Sequence, residues 1–138
     1  MKKVLFVLAL LLSAHTVMHA QSNQRTERNA SDEKIFDVVE QPPSFPGGQA
    51  ALMSYLSKNV KYPEEALKDN VQGRVIVGFI VEKDGSVSNA KIIHGVDSAL
   101  DKEAIRIVMS MPKWTPGKHN GRNVRTKYNV PVNFKLQP

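Results

Sequence analysis

Cysteine is absent from this chain of 138 residues, and that single absence excludes thiolate catalysis, disulfide staples and thiolate zinc sites. Histidine is scarce. Of the four present, His15 and His19 fall in the N-terminal apolar region, and His94 and His119 stand far apart in the chain with no carboxylate cluster beside either. Zinc and iron sites ask for three or four convergent ligands, so no metal site is expected. Also missing are a Gly-x-Ser-x-Gly elbow, a phosphate-binding loop and a Gly-x-Gly-x-x-Gly fingerprint. Asp84-Gly85-Ser86 reads as a turn. Glu64 and Glu65 read as favourable charge at a helix start, since adjacent helical residues point about 100° apart and cannot act as a carboxylate pair. No catalytic residue and no cofactor is expected, and an enzyme reading has nothing to rest on.

Negative charge is missing from the end of the chain. All 13 acidic residues lie between Glu27 and Glu103, whereas Arg106, Lys113, Lys118, Arg122, Arg125, Lys127 and Lys135 follow with no acid after Glu103. A surface of one sign raises the local concentration of anionic partners; a Lys-rich strand face that discourages aggregation is the plainer alternative. Nucleic acid is excluded as a partner because the chain opens like a secreted protein. Lys2 and Lys3 precede the apolar run of residues 4–12, and Ala20-Gln21 offers a cleavage point, the layout of a signal peptide over residues 1–20. The competing reading is an uncleaved anchor, since residues 4–20 reach the short limit of a spanning helix; His15, Thr16 and His19 count against it. Residues 21–45 form a polar lead-in, disordered or extended, within which Ile35-Phe36-Asp37-Val38-Val39-Glu40 is a candidate short strand ended by Pro42-Pro43. Residues 46–138 form one domain.

What is present is organised around residues 73–94, which read as a β-hairpin. Arg74-Val75-Ile76-Val77-Gly78-Phe79-Ile80-Val81 is a β-branched and aromatic run, Lys83-Asp84-Gly85 makes the turn, and residues 86–93 return. Val75, Val77, Phe79 and Val81 share one face, Ile76, Gly78 and Ile80 the other, so the first arm should be a central strand. Pro46-Gly47-Gly48 opens a helix over residues 49–58 that buries Leu52, Tyr55 and Leu56. A second begins at Pro63 and buries Ala66 and Leu67. A third starts in a capping box, Ser98-Ala99-Leu100-Asp101, buries Leu100, Ala104, Ile107, Val108 and Met111, and stops at Pro112. Trp114, the only tryptophan, should plug the core. After Pro116-Gly117 and Asn120-Gly121 turns, residues 123–136 alternate: Val124, Thr126, Tyr128, Val130, Val132, Phe134 and Leu136 inward, Arg125, Lys127, Asn129, Pro131, Asn133 and Lys135 outward. Pro131 cannot donate to a ladder, which puts this strand at a sheet edge. The expected fold class is α+β, a three-stranded antiparallel sheet with helices packed on one face.

From Tyr62 onward the chain resembles the C-terminal domain of the TonB family of energy transducers. The resemblance rests on Tyr62-Pro63-Glu64-Glu65-Ala66, Gln72-Gly73-Arg74-Val75, Asp84-Gly85-Ser86-Val87, the helix closed by Trp114, Pro116-Gly117-Lys118, and the terminal Val132-Asn133-Phe134-Lys135. A weaker likeness reaches back to Phe45-Pro46-Gly47-Gly48. It implies a periplasmic module that binds the TonB box, an extended peptide of TonB-dependent outer-membrane receptors that import siderophores, vitamin B12 or glycans. The implied grip is β-augmentation along the terminal strand. Carried onto this sequence, the partner-binding residues are Arg125, Lys127, Asn129, Pro131 and Asn133, with Lys61 and Tyr62 beside them.

Transducing members of the family have a longer anchor coupled to ExbB and ExbD and a proline-rich spacer, neither of which this sequence shows. ExbB and ExbD are therefore partners only if the N-terminal run is kept as an anchor, which would place the chain on the inner membrane facing the periplasm. The alternative function is a structural envelope or adaptor protein whose basic end rests on anionic material, or which forms a homodimer through the edge strand.

Overall fold

A computed structural model describes residues 34–136. The signal-or-anchor reading of residues 1–20 and the lead-in up to residue 33 lie outside the described residues. The elements run β1 (Ile35–Phe36), α1 (Gln49–Asn59), α2 (Glu64–Lys68), β2 (Gly73–Val81), β3 (Val87–His94), α3 (Ser98–Met109), β4 (Gly117–His119) and β5 (Arg122–Phe134). The class is α+β. The sheet has five strands rather than three, in the order β1-β5-β2-β3 with β4 paired to β5.

β2 is central, as its two-sided apolar pattern requires. It runs antiparallel to β3 on one side and to β5 on the other. The turn between β2 and β3 follows from its residues. Asp84 Oδ1 accepts from the Ser86 backbone N–H at 3.0 Å and from its hydroxyl at 2.7 Å, a side-chain mimic of a backbone turn. Gly85 then takes φ 90°. A side chain there would put its Cβ 2.0 Å from the Trp114 carbonyl oxygen, and the Gly85 carbonyl accepts from Trp114 N–H at 2.8 Å. The hairpin tip is thereby tied to the segment that leaves α3.

The helices cover one face of the sheet. Val75, Val77, Phe79 and Val81 of β2 and Val130, Val132 and Phe134 of β5 meet Leu52, Leu56, Ala66, Leu100, Ala104, Ile107 and Val108 in one buried cluster. Trp114, 3 % exposed, packs edge-on against Phe45, Phe79 and Tyr128 with ring centroids 5.0 to 5.7 Å apart. It is the expected plug.

Four readings are corrected. The candidate strand of residues 35–40 is a strand only at Ile35–Phe36, and β4 was not separable from a turn by pattern, because a strand of three residues carries no period. β1, moreover, pairs parallel, Ile35 opposite Arg125 and Phe36 opposite Thr126, in an otherwise antiparallel sheet. The cap of α3 is Asp97, whose carboxylate accepts from Ala99 and Leu100 N–H, and Asp101 reaches back to Val96 N–H at 3.0 Å; Ser98 is the first helical residue. Leu67 is exposed, since α2 has only five residues and turns Ala66 alone into the core.

Truncating Trp114 removes three edge-on ring contacts and opens a void between Phe45, Phe79 and Tyr128. Trp114→Ala is expected to destabilise by about 3–5 kcal/mol, read as a shift of the urea midpoint; a loss below about 1 kcal/mol would place the ring outside the core.

Candidate functional site

A sheet of this order has two lateral edges, and they differ. β3 is irregular: its register against β2 shifts between Ile76 and Val77 and again between Gly78 and Ile80, with Asn89 at φ 50°. Bulges of this kind bend and twist an edge away from pairing. β5 keeps one register through nine consecutive pairs with β2, from Gly73 opposite Phe134 to Val81 opposite Thr126. Its other edge carries β1 at Arg125 and Thr126, and among the described residues no strand lies on that edge at residues 128–134. Pro131 sits inside the unbroken ladder opposite Ile76, which a proline tolerates where its nitrogen is turned away from the neighbouring strand. Backbone direction repeats every second residue. Asn129 and Asn133 therefore aim their N–H groups outward, on either side of the gap at Pro131.

The side chains of the same residues stand on the face of the sheet opposite the helices. Arg125 donates Nε to Glu82 Oε1 at 2.7 Å and Nη2 to Oε2 at 3.3 Å. Asn133 Oδ1 accepts from Arg74 Nε at 3.2 Å. Asn129 Oδ1 lies over Gly78, where an added Cβ would come within 2.9 Å of it and of Ile93 Cδ1. Lys127 Nζ is 3.6 Å from Asp37 Oδ1, both side chains being largely exposed. Together Ile35, Asp37, Gly78, Lys91, Ile93, Lys127 and Asn129 help line a cavity of about 470 Å³ across β5, β2 and β3. Gly78 is part of its lining, and the glycine lets Asn129 and Ile93 come close to the β2 backbone there.

The structure thus brings together Arg125, Lys127, Asn129, Pro131 and Asn133 but not the remaining two. The Tyr62 ring meets Phe134 edge-on at 5.7 Å and its hydroxyl donates to the Val71 carbonyl, which places it on the helix-covered face; burial raises its hydroxyl pKa above the ordinary value. Lys61 belongs to α3's surroundings. Its N–H donates to Glu103 Oε2 at 2.7 Å, and it lines a separate groove of about 650 Å³ with Glu64, Lys102 and Arg106. Sequence reasoning missed Glu82, Asp37 and Lys91. Gly78 had a legible signal, a glycine interrupting a β-branched run, which marks close approach of another chain or side chain.

The charge at the site is less one-sided than the sequence suggests. The hydrogen bond from Arg125 holds the Glu82 carboxyl below its ordinary range, against the opposing effect of burial, and Ser88 adds a second hydrogen bond. Arg125 is thus already engaged by Glu82, and Lys91 and Lys127 are the cations lining the cavity. His119, on β4, rests its ring on Phe36 at 5.1 Å. Among the described residues no group of three or more His, Asp or Glu could hold a metal ion, and no helix is long and apolar enough to cross a membrane.

Residues 58–136 match the family model described as Gram-negative bacterial TonB protein C-terminal. Among solved structures, the chain is similar to the NMR solution structure of Helicobacter pylori TonB-CTD residues 194–285, at 22 % identity and TM-score 0.45, covering 64 % of this chain and 95 % of that one. It is also similar to the solution structure of the Pseudomonas aeruginosa TonB CTD, at 24 % identity and TM-score 0.45, covering 56 % and 79 %. No curated protein sequence matches.

The Glu82–Arg125 pair gives a pH dependence with a definite sign. A carboxyl whose folded pKa is depressed contributes stability that is present above the unfolded value, about 4.3, and is lost as the pH falls through the folded value. Glu82→Gln is expected to lower the urea midpoint at pH 7 and to flatten its decline between pH 5 and pH 2; an unchanged acid limb would mean the pair contributes nothing.

Proposed function

From the premise that this chain belongs to the family of Gram-negative TonB protein C-terminal domains, whose role is TonB-dependent transport and energy transduction, we propose that it binds an extended receptor peptide along the outer edge of β5. The observation that carries this reading is the regular, unpaired stretch of that edge at residues 128–134, beside a second edge spoiled by bulges. The partner is the TonB box of an outer-membrane receptor, and the compartment is the periplasm. The family assignment supports both.

The mechanism is strand addition. The incoming backbone bonds to the outward groups of β5, loses one bond at Pro131, and places alternate side chains on the helix-free face beside the cavity lined by Lys91, Ile93 and Lys127. Each backbone bond contributes a net of about 0.5–1.5 kcal/mol, and ordering a free peptide opposes it. Binding through the backbone alone is therefore weak, and side chains that reach Lys91, Ile93 and Lys127 set the preference. The gap at Pro131 and the charge of Lys127 also keep the edge from pairing indiscriminately.

Titration of the protein with TonB-box peptides, followed by amide NMR, is the test. Shifts should cluster at residues 128–134, persist when salt is raised from about 0.1 M to 1 M, where the screening length falls from about 10 to 3 Å, and weaken about fivefold with Asn129→Pro, which removes one outward donor. Shifts confined to β3 or the helices would contradict the assignment. Binding that vanishes with salt and ignores Asn129→Pro would favour an electrostatic envelope role instead.

A further inference from the structure

Thr126 is paired on both sides, with Val81 of β2 on one and Phe36 of β1 on the other. β1 therefore lies on the same outer edge that the proposed partner would use. In a parallel pair the bonds go to the neighbours of the registered residues, so this short strand covers the edge as far as Lys127, where Asp37 adds its ion pair. Ile35 and Asp37, two residues apart, both line the cavity that Gly78 also lines, while Phe36 lies against His119. The segment walls one side of the cavity and covers the first part of the edge.

The strand is short, two residues long. Two registered pairs, an ion pair between largely exposed side chains and a ring contact are among the contacts that hold residues 35–37. Val38, next in line, is 84 % exposed, and the chain bends away instead of following β5 further. It is fixed again at Gln41, bridged to Lys118, and at Ser44, bridged to Thr115. Those downstream anchors keep residues 35–37 close to the edge after they detach, so rebinding is intramolecular and effective at high local concentration.

Given the reading of β5 as a peptide-binding edge, we infer that Ile35-Phe36-Asp37 is a resident occupant of that edge, a strand the chain supplies to itself and that an incoming strand must displace to pair along the whole of residues 125–134. The apparent affinity for a partner is then the intrinsic affinity reduced by the fraction of molecules whose edge is open. The segment also leaves residues 128–134 available, so a partner starts at the open end and advances toward Thr126, lifting β1 as it goes. The occupant states what the covered part of the site accepts: an apolar residue at the cavity wall opposite Arg125 and, two positions on, an acid against Lys127.

The test compares the full chain with two variants, Phe36→Ala/Asp37→Lys, which removes the ring contact and reverses the charge opposite Lys127, and Asp37→Lys alone. Two probes are used, a TonB-box peptide and a synthetic peptide of this chain's own residues 34–40. The double variant should bind both probes roughly fivefold or more tightly than the unaltered chain, the single variant should fall between, and the own-sequence peptide should move the amides of Arg125, Thr126 and Lys127. An unaltered urea midpoint shows that the variants keep their fold. Equal affinity for the TonB-box peptide in all three proteins, with shifts still at residues 128–134, would overturn the occupant and leave the proposed function standing. Tight binding of the own-sequence peptide to the double variant, with no TonB-box binding to any protein, would support the occupant and remove the receptor reading. Weaker binding of both probes to the double variant would make residues 35–37 part of the site rather than its guard.

Discussion

Nine consecutive backbone pairs between β2 and β5, without a shift in register, are the constraint from which the rest of this structure follows. They give β2 a partner on one side, β3 supplies the other, and β2 is thereby the core strand, with Val75, Val77 and Val81 fully buried. They also turn every inward residue of β5 toward the same helices. A one-residue slip would send Val130, Val132 and Phe134 to the helix-free face and bring Lys127, Asn129 and Asn133 into the core. The same ladder consumes one side of β5 and leaves the other outside. The open edge is a consequence of how the core is built.

Much of this was legible from residue order. The hairpin of β2 and β3 shows in a β-branched run, an Asp-Gly-Ser turn and a returning strand, and the alternation along residues 123–136 is clear because one face of β5 is packed and the other is not. What could not be read was set by contacts between distant segments. The candidate strand at residues 35–40 pairs only at Ile35 and Phe36, where Arg125 and Thr126 face it, and it pairs parallel; β4 has three residues and forms around the Asn120-Gly121 turn. The start of α3 was displaced by one residue because Asp97 and Ser98 are both good caps, and only geometry decides between them. Five of the seven candidate partner residues share the open face of β5 because alternation alone dictates it. Lys61 and Tyr62 were linked to them by resemblance, and their neighbours are Glu103 and Phe134 on the helix side. The Glu82–Arg125 pair joins residues 43 apart in the chain, a separation that pattern does not reveal.

The two edges divide the work of keeping the sheet soluble and keeping it useful. β3 is protected permanently, by bulges and by Asn89 in a left-handed conformation. β5 keeps a regular backbone, broken by a proline whose nitrogen faces out and flanked at one end by β1. Protection of that kind is reversible: it discourages casual pairing and yields to a strand that brings enough contacts of its own. A regular edge with removable cover is what peptide capture by strand addition requires, and the cavity on the helix-free face supplies room for captured side chains.

The central claim is that the outer edge of β5 beyond Lys127 is unpaired in the free protein and paired when a receptor strand binds. Residue-resolved amide hydrogen exchange tests it directly, because neighbouring residues serve as internal controls. The account predicts slow exchange at Tyr128, Val130 and Val132, whose N–H groups bond to β2, and fast exchange at Asn129 and Asn133. A TonB-box peptide should slow Asn129 and Asn133 alone. Slow exchange at Asn129 and Asn133 before any peptide is added, or unchanged fast exchange in a saturated complex, would contradict it.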